Sequence, residues 1–112
     1  MKNFAQTAPR PPKQLSAEAK RWWKKLVAEF GIDDPAGVLL LQTALEAFDR
    51  MRGCQQVIEA EGATVRDRFD QVRGHPLLAA ERDARAQMLA ALKQLNLDLE
   101  PLRDGPGRPG GR

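Results

Sequence analysis

The chain has very few of the residues that form covalent or metal-bound cores in small proteins. It contains one cysteine, Cys54, and one histidine, His75, in 112 residues. A single cysteine cannot form an internal disulfide, and one histidine without a second is a poor basis for a metal site. We therefore expect no metal and no cofactor.

Long apolar runs are also missing. No stretch approaches the roughly 18 consecutive apolar residues that a membrane-spanning helix needs. The first 14 residues, MKNFAQTAPRPPKQ, contain no apolar run and do not have the pattern of a secretory signal. We expect a cytoplasmic protein with no membrane partner.

The motifs of common enzyme classes are absent. The sequence has no Walker-type phosphate loop, no nucleophile elbow and no paired histidines. Cys54 falls on an apolar helical face, which favours a small buried hydrophobe over a nucleophile. His75 precedes a predicted helix, where a capping or packing role is the more usual one. We expect no catalytic residues and no enzymatic activity.

Charge is unevenly distributed along the chain, whose net charge is +3. Residues 1–15 carry three bases and no acid, whereas residues 33–61 carry six acids and two bases. The last ten residues are basic again. Basic ends suit nucleic acid or another acidic surface, and the acidic middle argues against uniform wrapping of DNA.

The first predicted helix has two opposed faces. Ser16 is a good N-cap and Gly31 a good C-terminal stop. Apolar residues recur at helical spacing on one side: Ala19, Trp22, Trp23, Leu26, Val27 and Phe30. The opposite side is basic and carries Lys20, Arg21, Lys24 and Lys25. This face suits an anionic partner, although an ordinary solvated face is the simpler alternative.

A long second helix is predicted from Asp34-Pro35 to Glu61, with Gly62 as the stop. Its apolar face covers close to half of the helical wheel, which is more than one antiparallel partner needs. We expect the helix to pack on its own chain and also on a neighbouring copy. The alternative is the central helix of a monomer. The candidates for an intersubunit face shared with the core are Leu41, Leu45, Phe48 and Met51.

Residues 63–75 break the helical pattern and predict either a short β-hairpin or an ordered loop around Phe69-Asp70. Pro76 opens a third helix, and Asn96 is its expected left-handed cap. The apolar stripe of this helix is predicted to contain Leu77, Ala80, Ala84, Met88, Ala91, Leu92 and Leu95.

The chain thus divides into a flexible basic arm at residues 1–14, a helical domain at 15–103 and a disordered tail at 104–112. The tail's last eight residues are only Gly, Pro and Arg, which cannot form a core. The fold class is all-α with three main helices. Our first candidates for DNA contact are Lys20, Arg21, Lys24 and Lys25, supported by Lys2, Arg10 and Lys13. A second set comprises Arg66, Arg68 and Arg73.

In the order of these sequence features, the chain resembles the small subunit of phage terminase, the DNA-packaging initiator of tailed double-stranded-DNA phages. The resemblance spans residues 10–103, and Asn96 stands where the family pattern suggests glycine. It is carried by Pro11-Pro12, Leu15-Ser16, Glu18-Ala19-Lys20, Trp23, Ala47, Arg50, Gly62-Ala63-Thr64-Val65, His75-Pro76, Leu95-Asn96-Leu97, Pro101 and Arg103.

The resemblance implies a helical protein that assembles into a homo-oligomeric ring. Such a ring recognises the packaging start site on viral DNA, passes the DNA to the large terminase subunit and regulates that ATPase and nuclease. It has no catalytic site of its own and acts in the cytoplasm of the infected bacterial host. Two alternatives are a dimeric helical transcriptional regulator that binds DNA and a structural adaptor with no DNA role.

Overall fold

The computed structural model describes residues 8–97 of the chain. The predictions for Lys2, for residues 98–103 and for the tail at 104–112 lie outside the described residues. The described part contains three helices and a short hairpin, in the order α1 (Ala17–Phe30), α2 (Pro35–Glu61), β1 (Thr64–Arg66), β2 (Val72–Gly74) and α3 (Leu77–Leu95). The predicted helices and the hairpin alternative are confirmed.

Both ends of α1 follow from local chemistry. The Ser16 hydroxyl accepts a hydrogen bond from the Ala19 N–H at 3.0 Å, which satisfies one of the free donors of the first turn. Gly31 adopts the left-handed conformation with φ of 62° and donates its N–H to the Val27 carbonyl. Leu15 and Ile32, just outside the helix, are both buried and hold its two ends against the core.

Helix α2 begins and ends as predicted. The Asp34 side chain accepts from the Gly37 N–H at 2.9 Å, and Pro35 occupies the first helical position. At the other end the Gly62 N–H donates to the Ile58 carbonyl at 2.7 Å. The chain thus turns out of a 27-residue helix directly into the hairpin.

The core forms where α1 and α3 both pack against α2. Two intrachain partners account for the width of the α2 apolar face, so this width by itself does not require a neighbouring copy. Trp23 and Leu41 are the largest fully buried side chains. The core cluster comprises Leu15, Ala19, Trp23, Val27, Ile32, Leu41, Leu45, Phe48, Met51 and Ala84.

The hairpin is a two-stranded antiparallel ribbon in which Val65 pairs with Arg73. Asp67 closes its tip, because its carboxylate accepts from the Phe69 and Gln71 N–H groups at 2.8 and 3.0 Å. Asp70 takes a left-handed conformation with φ of 60°. The local bonds hold Phe69 outward, where it is 67% exposed.

His75 joins the end of α2 to the start of α3. Its Nδ1 accepts from the Leu77 N–H at 3.0 Å, and its Nε2 lies 2.7 Å from Glu61 Oε1. The proton therefore sits on Nε2, which donates to Glu61. The predicted capping role of His75 is confirmed, and α3 begins one residue after Pro76. Asn96 has the expected left-handed conformation, with φ of 56°.

Replacing His75 by alanine is expected to lower the free energy of unfolding by about 1–3 kcal/mol, because two partly buried hydrogen bonds are lost. His75→Asn can still cap α3 and should lose less. Chemical denaturation of the two variants at one protein concentration measures the difference. Equal stability of wild type and His75→Ala would contradict this role.

The apolar stripe of α3 differs from the prediction at one position. Ala80 is exposed, and Glu81 lies on the buried side with only 7% of its surface accessible. The Glu81 carboxylate accepts hydrogen bonds from Arg85 and, at 2.8 Å, from Gln55 of α2. A charged residue can occupy this core-facing position because both neighbours bond to its oxygens.

These bonds lower the pKa of Glu81, with the Arg85 hydrogen bond as the largest cause and the Gln55 bond as the next. A lowered pKa in the folded state means that the unfolded chain binds more protons in acid. The resulting stability is present above the ordinary glutamate pKa and is lost as pH falls through the folded-state value.

Glu81→Gln is therefore expected to flatten the dependence of unfolding free energy on pH between about pH 5 and pH 3. Thermal or urea unfolding at a series of pH values measures it. Asp83→Asn, at an exposed position of the same helix, is the matched control. If the unfolding free energy of Glu81→Gln depends on pH in the same way as that of the wild type, Glu81 is not the source of this pH dependence.

Candidate nucleic-acid interface

The basic face of α1, defined as Lys20, Arg21, Lys24 and Lys25, lies opposite the side that enters the core. Ala19, Trp23 and Val27 are buried against the other helices. Arg21, Lys24 and Lys25 are exposed, whereas Lys20 is half-buried. Anchoring by the buried side thus holds four cations on one rigid helix surface.

No carboxylate of residues 8–97 forms a salt bridge with this basic face. The five ion pairs found there involve Arg52, Arg66, Arg73, His75 and Arg85 instead. Lys25 has one specific neighbour, since its ammonium lies 5.3 Å from the centroid of the Trp22 ring. The positive charge of α1 is therefore left available for an external anion.

The segment before α1 is held against the helices. The Trp23 indole N–H donates to the Pro9 carbonyl at 3.0 Å, and Gln14 donates to Glu46 Oε2 at 3.0 Å. Arg10 and Lys13 lie in this segment, and both are exposed. The structure thus places these two predicted DNA contacts on a segment that is fixed at two points, one of them on α1.

Two of the three hairpin arginines predicted to contact DNA form salt bridges with carboxylates, unlike the cations of α1. Arg73 pairs with Asp67 at 2.6 Å, and Arg66 pairs with Asp70 at 3.3 Å. The Arg73 hydrogen bond is the largest cause that lowers the pKa of Asp67, so this partner stays ionised. Of the three hairpin arginines, all of them among the described residues, Arg68 has no salt bridge to a carboxylate there, and its guanidinium lies 5.1 Å from the centroid of the Phe69 ring. The hairpin therefore offers less free charge than α1.

All four residues that were predicted for an intersubunit face lie in the chain's own core. They are Leu41, Leu45, Phe48 and Met51. The predicted core role is confirmed. Large apolar side chains that are exposed lie elsewhere in the described part: Trp22, Leu39, Val57, Phe69, Val72, Leu78 and Leu89.

A polar network that joins all three helices is not apparent from local pattern. Glu18 of α1 pairs with Arg52 of α2 at 3.0 Å, and Arg52 donates to Gln55 at 3.0 Å. Gln55 in turn donates to Glu81 of α3. Ser16 also donates to Asp49 of α2 through its hydroxyl, at 2.5 Å, and through its backbone N–H. One sequence feature does indicate the burial of Glu81: it lies four residues after Leu77 and three before Ala84, and so on the apolar side of α3.

Within residues 8–97 there is no group of three or more histidine, cysteine or carboxylate residues placed to hold a metal ion. None of the described helices is long and apolar enough to cross a membrane.

Comparison with known proteins identifies the family. A family model described as "Phage terminase, small subunit" matches residues 19–100, which is well over half of the chain. No curated protein and no solved structure matches the chain significantly. The matched region runs from the first turn of α1 through α2, the hairpin and α3. The chain belongs to the phage terminase small-subunit family, whose members take part in phage DNA packaging and are generally non-catalytic.

Proposed function

We propose that this chain is a small terminase subunit that binds viral DNA at the packaging start site through the basic face of α1. It delivers the DNA to the large terminase subunit and regulates that ATPase and nuclease. The observation that carries the proposal is the set of four cations on α1 with no carboxylate partner among the described residues.

Lysine and arginine side chains on a rigid surface bind the phosphate backbone and release its counterions. Arg10 and Lys13 are exposed cations on the segment that the Trp23–Pro9 hydrogen bond ties to α1, and we assign them to the same DNA contact. Lys2 adds a further cation in the same basic arm. Arg68 is the second-ranked contact, because Arg66 and Arg73 are already paired with acids. Contacts of this kind position DNA and carry little sequence information themselves.

We further propose that the chain works as a homo-oligomeric ring in the cytoplasm of the infected host. Several large apolar side chains remain exposed, among them Leu39 at 64% and Val72 at 60%. Surface of this kind is typical of protein contacts when it is contiguous. Leu41, Leu45, Phe48 and Met51, the sequence candidates for this face, lie in the chain's own core, so the exposed residues are the better candidates for it.

A titration of duplex DNA with the full chain at several salt concentrations tests the DNA proposal. Four phosphate contacts per chain give a slope of about −4 in a plot of log affinity against log salt. Binding that is absent at low salt, or that does not weaken with salt, would rule out the basic face as the contact.

The mass of the intact assembly tests the ring proposal. Size-exclusion chromatography with light scattering should give a closed assembly of many copies. A dimer would favour the transcriptional-regulator alternative, and a stable monomer at micromolar concentration would refute the ring.

A further inference from the structure

An apolar groove opens between the three helices, on the side where α3 ends. Trp22 and Leu26 of α1 form one wall, Leu45 and Phe48 of α2 the floor, and the last turns of α3 the other wall. Its volume is about 570 Å³, in the range of sites that bind organic ligands or peptide segments. The α3 wall comprises Met88, Leu89, Leu92 and Lys93.

The apolar lining is open to solvent at several points. Trp22 is 44% exposed and Leu89 is 54% exposed, although both line the groove. Exposed apolar surface of this kind usually marks a contact with another segment or molecule.

The rim of the groove is cationic. Lys93 lies on the α3 side, and Lys25 adds a second cation, since its ammonium lies over Trp22. Arg52 lies on the α2 side, 5.2 Å from the Phe48 ring, but its charge is already paired with Glu18. An occupant with leucine-like side chains and negative charges would be complementary to both the lining and the rim.

The chain itself supplies such a segment at the edge of the groove. Asn96 turns the backbone through the left-handed conformation, and the next residue, Leu97, already lines the groove and packs on the core. Residues 98–104, DLEPLRD, follow directly, with two leucines, three acids and one base. Leu99 and Leu102 are three residues apart and flank Pro101, and this spacing puts both side chains on one side of a chain in the polyproline-II conformation.

The segment after α3 is long enough to run back along the groove. Helix α3 rises about 9 Å from Leu89 to Leu95, at 1.5 Å per residue. Residues 97–102 span at most about 18 Å when extended, so Leu102 can reach Leu89 from Leu97. A segment tethered at the groove's edge also has a high effective concentration there, which favours it over a free partner.

We propose that residues 98–104 bind in this groove of their own chain, with their leucines on the apolar lining and their acids at the cationic rim. The segment thereby covers Trp22 and the C-terminal half of α3. The proposal does not depend on DNA binding, and its tests contain no DNA.

A disulfide trap in the full chain tests the proposal. In a Cys54→Ala background, Leu89→Cys combined with Leu102→Cys should form an intrachain disulfide readily, because docking brings the two Cβ atoms together. The matched control combines Ala90→Cys with Leu102→Cys, since Ala90 is exposed on the same turn of α3, within equal reach of the segment, but does not line the groove. Non-reducing electrophoresis and intact mass measure the products.

A covalent monomer that forms much faster in the Leu89 pair than in the Ala90 pair supports the proposal. Equal rates in the two pairs, or no disulfide in the Leu89 pair, would overturn it. Covalent dimers in place of monomers would also overturn it, because the groove would then take the segment of a second copy.

Tryptophan fluorescence gives a second test without introduced cysteines. The chain has two tryptophans, and Trp23 is buried, so quenching by acrylamide reports mainly on Trp22. Leu99→Asn combined with Leu102→Asn should remove the protection of Trp22 and shift its emission to longer wavelength. The control, Arg108→Gln with Arg112→Gln, changes residues outside the segment and should behave as wild type. Identical quenching of all three proteins would overturn the proposal.

Discussion

Replacing Trp23 by alanine is expected to lower the free energy of unfolding by about 3–5 kcal/mol. Trp23 is only 1% exposed and belongs to the core cluster formed by all three helices. The substitution leaves a cavity and also removes the donor that holds the Pro9 carbonyl. A loss of this size is a large fraction of the total stability of a small domain. Urea denaturation of the full chain measures it, at one protein concentration because association shifts apparent stability.

Trp22→Ala is the matched control, since it removes the same side chain one residue away. Trp22 is 44% exposed on the groove wall, so its loss should be much less severe than that of Trp23. Trp23→Phe keeps an aromatic ring and loses the indole N–H, and should cost only about 1 kcal/mol. Equal losses for Trp22→Ala and Trp23→Ala would contradict the division of the two residues between groove and core.

The adjacent tryptophans also show where sequence reasoning succeeds. Helical spacing placed both of them on the apolar side of α1, because neighbours on a helix differ by about 100° and both fit within a wide arc. In the folded chain the two side chains have different surroundings. Trp23 is buried in the core, whereas Trp22 lies on the wall of the groove and is partly exposed. Helix ends were predicted most accurately, because Ser16, Asp34 and Asn96 act through local bonds that depend on a few neighbouring residues.

Features that depend on distant partners could not be predicted in the same way. From the local sequence, Glu81 would be expected to form an exposed i,i+4 ion pair with Arg85. It is buried in the structure because α2 packs against this part of α3 and brings Gln55 to its carboxylate. Hairpin pairing presents the same difficulty. Arg66 and Arg73 count as free charges in the sequence, and only the turn geometry brings Asp70 and Asp67 to them.

The width of the α2 apolar face illustrates a further limit. A wide face requires more than one packing partner, but the sequence does not say whether the second partner is another element or another copy. In the structure α1 and α3 together cover the face, and Leu41 and Leu45 are buried between them. Evidence for a ring must therefore come from the exposed residues and from the family, not from the width of this face.

Reversing two charges on α1 should weaken DNA binding sharply while leaving the fold intact. In Lys24→Glu combined with Lys25→Glu, two phosphate contacts are lost and two repulsive charges are added at exposed positions. We expect affinity for duplex DNA at low salt to fall at least about tenfold, and the salt slope to decrease by about 2. Unfolding stability should change little, since the lost contact of Lys25 with Trp22 is worth only about 0.5–1 kcal/mol at an exposed site.

Two comparisons separate a specific basic face from a simple effect of net charge. Arg82→Glu makes the same charge change at an exposed position of α3 and is compared with Lys24→Glu alone, in the same gel-shift titration. The α1 variant should lose clearly more affinity, because phosphate contacts act over a few ångströms and salt screens the rest. Equal losses in the two single variants would show that the chain binds DNA through its overall charge. Unchanged affinity in the double variant would remove α1 from the interface and leave the fixed segment before it, with Arg10 and Lys13, as the next surface to test.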